Sequence, residues 1–261
     1  MDDRQNLRSQ QALTLAADAA ALLLASGAET SRAQETAEIL FRSFGAGELQ
    51  AYVLTNGVIA VPLEHSLPGG VRNVPNSSVN LMRVAAVNEL SRQAAAGRVS
   101  LAQARCRLDE IKHLPELEDW KQMLACGIGC ACSGVMFGGG AREALAASIA
   151  GMCVQALLLW LARTGINRIF SRLAGAALVV SVITLVGLVL PGLNQNPPTI
   201  GALMPLTPGV ALTMSIRDFI SGDYLSGTIR LIDALLTAGC IACGVGLALM
   251  VWAFVLGGGA R

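Results

Sequence analysis

From residue 7 to residue 26 apolar side chains recur at helical spacing, with Leu13, Ala16, Ala17, Ala20, Leu23 and Leu24 on one stripe. That pattern predicts an amphipathic helix, and Gly27 suits its C-terminal stop. Ser31 followed by Gln34 reads as a capping-box start for a second helix, which carries Ile39, Leu40 and Phe44 and ends at Gly45. The period then shortens. Leu49-Gln50-Ala51-Tyr52-Val53-Leu54 and Val58-Ile59-Ala60-Val61 predict two strands joined around Asn56-Gly57, a strong short-range hairpin signal. A third short strand is expected near 71–74. Two more helices follow over 78–96 and 101–113, the latter opened by Ser100 with Gln103 three residues on. The order ααβββαα predicts a small α+β domain over residues 1–117.

Beyond that point the pattern is of another kind. A membrane span needs about 20 mostly apolar residues, and segments 120–137, 144–161, 173–190 and 231–256 qualify. Between the last two, residues 199–216 are apolar but interrupted by Pro205 and Pro208, which makes a broken fourth span. The expected fold class is an α-helical integral membrane protein of about five transmembrane helices, the fourth broken by prolines, preceded by a small α+β cytoplasmic domain. Residues 118–261 would form the membrane part.

Charge sharpens this division. Only 14% of the 261 residues are charged, and of the 37 Asp, Glu, Lys and Arg, 26 lie at or before Lys121. Arg105, Arg107, Lys112 and Lys121 precede the first span, Arg163, Arg168 and Arg172 follow the second, and Arg217 and Arg230 bracket the loop after the fourth. The loop after the first span has only Arg142 beside Glu143, and 191–198 carries no charge. By the positive-inside rule this alternation predicts the N-terminus inside and the C-terminus outside. The net charge of +1 leaves no basic footprint for nucleic acid. The polar start of the chain has no basic region leading into an apolar one, so a cleaved signal peptide is not expected.

Six of the seven cysteines (Cys126, Cys130, Cys132, Cys153, Cys240 and Cys243) fall inside apolar spans, and Cys106 lies in a soluble helix. They read as small packing residues, and neither a metal, a cofactor nor a structural disulfide is expected. Cys126, Cys130, Gly134 and Gly138, and Ala238, Ala242 and Gly246, form small-residue stripes for close helix contact. No nucleophile–base pair or phosphate loop is present, so the chain is not expected to be an enzyme. Thr207-Pro208 reads as an N-cap with proline at the first helical position, followed by Gly209. A helix starting inside the membrane presents free N–H groups suited to a carboxylate, although a plain proline kink is the alternative. Arg217 and Asp218 follow on the same half-helix. Asp233 is either an intramembrane functional residue or an i,i+3 partner of Arg230. Gly222-Asp223-Tyr224-Leu225-Ser226-Gly227 reads as a hinge, a gate or a turn. Thr207, Pro208, Gly209, Arg217, Asp218 and Asp233 are therefore the candidate substrate-binding residues.

Gly27-Ala28-Glu29-Thr30 with Arg32, the Asn56-Gly57 hairpin, and Ala86-Val87-Asn88-Glu89-Leu90 resemble the threonine/serine exporter (ThrE) family. So does Thr207-Pro208-Gly209-Val210 leading into Arg217-Asp218-Phe219 and Gly222 to Gly227, the most specific block. Where the family commonly has valyl-proline-glycine, this chain has Thr207-Pro208-Gly209. The resemblance covers nearly the whole chain and is closest to the shorter, YjjP-like subunit. It implies a bacterial inner-membrane exporter of threonine and serine, or of small dicarboxylates such as succinate, and a separate small membrane partner of the YjjB type. It also marks Glu29, Arg32 and Asn56 as motif residues of the cytoplasmic domain. Without a nucleotide-binding motif, secondary transport driven by the proton gradient is expected. An odd number of spans suggests that the partner half sits inverted. A membrane-anchored ligand-binding or regulatory protein is the alternative reading.

Overall fold

A computed structural model describes residues 3–44, 47–63, 68–74, 79–115 and 117–257. They pack as two compact units, Met1–Pro115 with Met214–Arg230, and Glu116–Thr213 with Leu231–Arg261. Residues 214–230 thus join the N-terminal residues, although a hundred positions separate them in sequence.

The first unit is built on α1 (Asp3–Ala25), against which α2 (Thr30–Ser43), α3 (Leu81–Ala95), α4 (Leu101–Lys112) and a three-stranded antiparallel sheet pack. The expected stripe of α1 is buried throughout, and Ala12, Leu15 and Ala19 are buried with it. Alanines around so much of its circumference let neighbours approach from several sides. Strands β1 (Leu49–Leu54), β2 (Gly57–Pro62) and β3 (Gly70–Asn73) form a meander. The hairpin loop is Thr55-Asn56, one residue earlier than expected, with Leu54 paired to Gly57. Neither loop residue has positive φ, so this is not the primed turn that Asn-Gly predicts. Gly57 serves another purpose: a Cβ there would stand 3.0 Å from the Arg72 carbonyl oxygen on β3.

Helix α4 opens with the expected capping box of Ser100 and Gln103. Helix α3 begins at Leu81, where the Asn80 side chain caps it by accepting from the Arg83 N–H at 3.1 Å. The expected stop at Gly45 and the start at Ser78 lie outside the described residues. In the Ala86–Leu90 motif, Glu89 accepts from Arg92 at 2.8 Å and Gln93 at 2.9 Å, and these bonds hold its carboxyl below the usual carboxylate range.

The second unit contains α5 (Asp119–Met136), α6 (Ala141–Arg163), α7 (Arg168–Val189), α8 (Asn196–Leu203) and a 3-10 turn at Met204–Leu206. Helices α9 (Gly209–Ile220) and α10 (Tyr224–Gly257) contribute residues to both units. Among the described residues three helices, α6, α7 and α10, are long and apolar enough to cross a membrane. The pair formed by Asn196–Leu206 and α9, bent by 56°, raises the number to four if it counts as one span. The expected span at 120–137 forms α5, but Asp119, Lys121 and Gln122 make its first turn polar and it falls below that standard. Arg168 and Arg172, expected in a loop, lie within α7.

Small residues set the helix spacing. A Cβ on Gly201 of α8 would lie 2.6 Å from the Gly134 backbone nitrogen of α5, and one on Gly151 of α6 would overlap the Cys130 sulfur. Cys126, Cys130 and Gly134 of the expected stripe are therefore a contact surface for α6 and α8, whereas Gly138 lies past the end of α5 and is exposed. The stripe expected on α10 is not such a surface. Ala238 and Ala242 are exposed, and after Arg230 the buried positions are Ala234, Ile241, Gly244 and Ala248. Gly244 admits the Leu173 carbonyl of α7, which fixes the face of α10 that packs.

Candidate functional site

Helix α9 ends in a tight corner. Gly222 has a φ of 83°, its N–H donates to the Phe219 carbonyl at 3.1 Å, and the Asp223 N–H donates to the Asp218 carbonyl at 2.9 Å. These are the paired bonds of a Schellman motif. Asp223 also opens α10, its carboxylate accepting from the Ser226 N–H at 3.1 Å as an N-cap. One residue thus closes one helix and starts the next. The expected six-residue loop shrinks to 221–223, and Gly227 lies inside α10, where a Cβ would meet the Phe219 ring at 2.9 Å.

The corner between α1 and α2 is built alike. Gly27 has a φ of 80°, its N–H donates to Leu24, and the Ala28 N–H donates to Leu23 at 2.9 Å. The N-cap of α2 is Glu29, with no side-chain cap, so the expected Ser31–Gln34 capping box is not what starts this helix. The reason lies across the unit. The Arg217 guanidinium donates to Glu29 at 2.7 Å, and the Thr30 hydroxyl donates to Asp223 at 3.3 Å. Glu29, at the cap position, is thus engaged by the α9–α10 corner, while Gln34 donates to Glu38 at 3.1 Å.

A second ion pair lies behind the first. Arg230 Nε stands 3.2 Å from Asp218 Oδ2, with side chains only 16% and 6% exposed. Arg230 Nη1 also reaches the Met214 sulfur at 2.9 Å. The Arg230–Asp218 contact lacks hydrogen-bond geometry, and the buried Ser226 hydroxyl has no hydrogen-bond partner among the described residues. The Asp218 carboxylate has Arg230, Asp223, Glu29 and Thr30 as its electrostatic neighbours. Of the two readings of Asp233, the i,i+3 pair with Arg230 does not form: Arg230 turns to Asp218, and Asp233 is exposed on α10 in the second unit.

The broken span has its own chemistry. Thr207 is not the N-cap of α9; its hydroxyl donates back to the Met204 carbonyl at 2.6 Å. The Pro208 carbonyl accepts the first helical bond, from the Leu212 N–H at 3.0 Å, so Pro208 takes the cap position and Gly209 the first helical one. Pro208 has no N–H to give Met204, whose carbonyl accepts instead from the Thr207 N–H at 3.2 Å as well as from the Thr207 hydroxyl. The carbonyls of Pro205 and Leu206, left behind where the chain bends, accept from Arg172 Nη1 at 3.1 and 3.3 Å. Two prolines free backbone acceptors, and one threonine and one arginine satisfy them.

The structure therefore gathers Glu29, Arg217, Asp218, Asp223 and Arg230 in the first unit, with Gly222 and Gly227 shaping their corner. Thr207, Pro208, Gly209 and Pro205 belong to the break in the second unit. Arg32 is exposed on α2, and Asn56 sits in the hairpin loop, its carbonyl accepting from Val74 at 2.7 Å. Neither joins the cluster. The sequence reading missed Thr30, Ser226 and Arg172 as site residues. Arg172 had a signal, an arginine beside a predicted span, whereas Thr30 and Ser226 lay inside quoted motif blocks without a role assigned to their hydroxyls. Among the described residues no group of three metal-ligating side chains converges.

Comparison with known proteins places these features in a family. The ThrE family model, described as "Putative threonine/serine exporter", matches residues 14–252. A protein of Corynebacterium glutamicum named threonine/serine exporter is 26% identical over 252 residues, covering 92% of this chain and 51% of that protein. The chain thus spans about half the length of the curated relative it matches. No solved structure matches it. The match covers both helix corners, the paired charges and the broken span, and the chain belongs to the ThrE family.

Proposed function

We propose that this chain is one half of a multi-pass inner-membrane exporter of threonine and serine, a transporter rather than an enzyme. In this reading the first unit faces the cytoplasm, the spans run from N-terminus inside to C-terminus outside, and a small membrane subunit of the YjjB type supplies the other half. Transport is secondary, coupled to the proton gradient.

The observation that carries the substrate reading is the double ion pair Glu29–Arg217 and Asp218–Arg230. Each arginine already holds a carboxylate, so the cluster offers both signs side by side. A zwitterionic amino acid matches that arrangement: its carboxylate replaces Glu29 on Arg217 and its ammonium group meets the released Glu29. The outer pair is the one to open. Arg217 is 63% and Glu29 18% exposed, against 16% for Arg230 and 6% for Asp218. A dicarboxylate needs two free cations and gains nothing from Glu29, so succinate is the weaker candidate.

The test is efflux from proteoliposomes containing this chain and the partner subunit, with labelled threonine, serine and succinate. Threonine and serine leave in the wild type, and Glu29→Gln and Arg217→Gln each slow them at least about tenfold, the loss of one charged contact. Succinate efflux at the threonine rate, or threonine efflux indifferent to both substitutions, removes the reading. A further measurement concerns coupling: collapse of the proton gradient stops efflux.

A further inference from the structure

A cleft of about 900 Å³ opens between α1, β3 and α4 of the first unit. That volume lies within the range, about 300–1,000 Å³, of small-molecule sites. Its apolar lining is entirely aliphatic, from Leu15, Ala21 and Leu22 on α1 and Leu101 and Leu108 on α4. No aromatic ring lines it, so it has no platform for stacking a base.

The charges of the cleft are unequal in their commitments. Asp18 and Arg72 bind each other at 2.5 Å and tie α1 to β3. Arg105, Asp109 and Lys112 follow at spacings of four and three, which sets them on one face of α4. Asp109 lies 3.9 Å from His113 Nδ1. Arg105 and Lys112 have no ion pair among the described residues. Two uncommitted cations beside an aliphatic wall are complementary to an anion with a short aliphatic body.

We propose that this cleft binds a small aliphatic carboxylate, held by Arg105 and Lys112 with its hydrocarbon portion against Leu15, Leu22 and Leu108. The site is separate from the paired charges at the helix corners and stands whether or not those charges carry substrate. An aliphatic amine of the same length lacks the required sign, and an alcohol lacks the charge.

Cys106 reports on the site, because it lines the cleft and is exposed. The full chain in lipid nanodiscs is treated with N-ethylmaleimide, and labelling of the Cys106 peptide is followed by mass spectrometry with hexanoate, hexylamine or hexanol present. Hexanoate slows labelling by about five- to tenfold as it saturates the cleft, while hexylamine and hexanol leave the rate unchanged. In the Arg105→Gln/Lys112→Gln variant the hexanoate effect disappears. Labelling unaffected by hexanoate, slowed equally by all three compounds, or still slowed in the double variant overturns the proposal.

Discussion

Asp218 and Arg230 are both shielded from solvent, so each depends on the other to offset the cost of leaving water. Removing either charge alone strands its partner, and Asp218→Asn and Arg230→Gln should each destabilise the protein by about 3–5 kcal/mol. The double variant should cost clearly less than the two singles together, because it strands nothing. Thermal melts of the four proteins in nanodiscs close this cycle, and simple additivity would show that the pair is not coupled. Glu29 and Arg217 differ: neutralising them should leave the melting temperature nearly unchanged while affecting efflux. Single residues were readable from sequence in proportion to how local their work is. Gly27 and Gly222 punctuate helices and could be placed by type, because only glycine takes their positive φ cheaply. Partners were not readable: spacing offered Asp233 to Arg230 as one of two alternatives, and the choice of Asp218 depends on a corner that sequence spacing does not contain.

At the scale of elements, the bend at Pro205 and Pro208 owes its carbonyl accounting to α7. Arg172→Leu should leave the Pro205 and Leu206 carbonyls without that donor and cost about 1–3 kcal/mol. Arg172→Lys should recover part of the loss, since an ammonium group still donates but lacks the planar fork. Equal stability of the leucine and wild-type proteins would mean that lipid headgroups or water serve those carbonyls. Packing gives a second expectation. Gly201→Leu drives a side chain into the α5 backbone at Gly134 and should prevent α8 from seating, whereas Gly246→Leu meets open space. Cysteine crosslinking between α5 and α8 separates the two outcomes. The long helices and the three strands were legible because their hydrophobic periods are strong. Helix starts were less so, since Glu29 and Pro208 stand at cap positions that neighbouring threonines and serines seemed better suited to hold. The exposed and buried faces of α10 were also misassigned, because small residues recur on more than one side of it.

The molecule as a whole folds a distant segment into its first unit, and residues 1–115 alone lack the α9–α10 corner that engages Glu29 and Thr30. A 1–115 fragment should therefore be cut by protease near the α1–α2 corner faster than the same segment of the full chain. Joining residues 214–230 to that fragment through a flexible linker should restore protection. Equal cutting of fragment and full chain would separate the corner from the stability of the unit. The division into a polar first part and an apolar second part was visible in composition, but the return of 214–230 was not, because residues 217–230 read as the loop between the fourth and fifth spans.

That return also sets a schedule. Synthesis adds about 5–20 residues per second, so roughly 6–23 s separate the appearance of Pro115 from that of Arg230. Throughout that interval Glu29 and Thr30 face solvent with their eventual partners still unmade. The intervening apolar helices reach the insertion machinery before Arg217, Asp218 and Asp223 exist. A chain whose insertion stalls therefore never assembles its charged corner, and completion of the first unit becomes a signal that biogenesis of the preceding helices has proceeded.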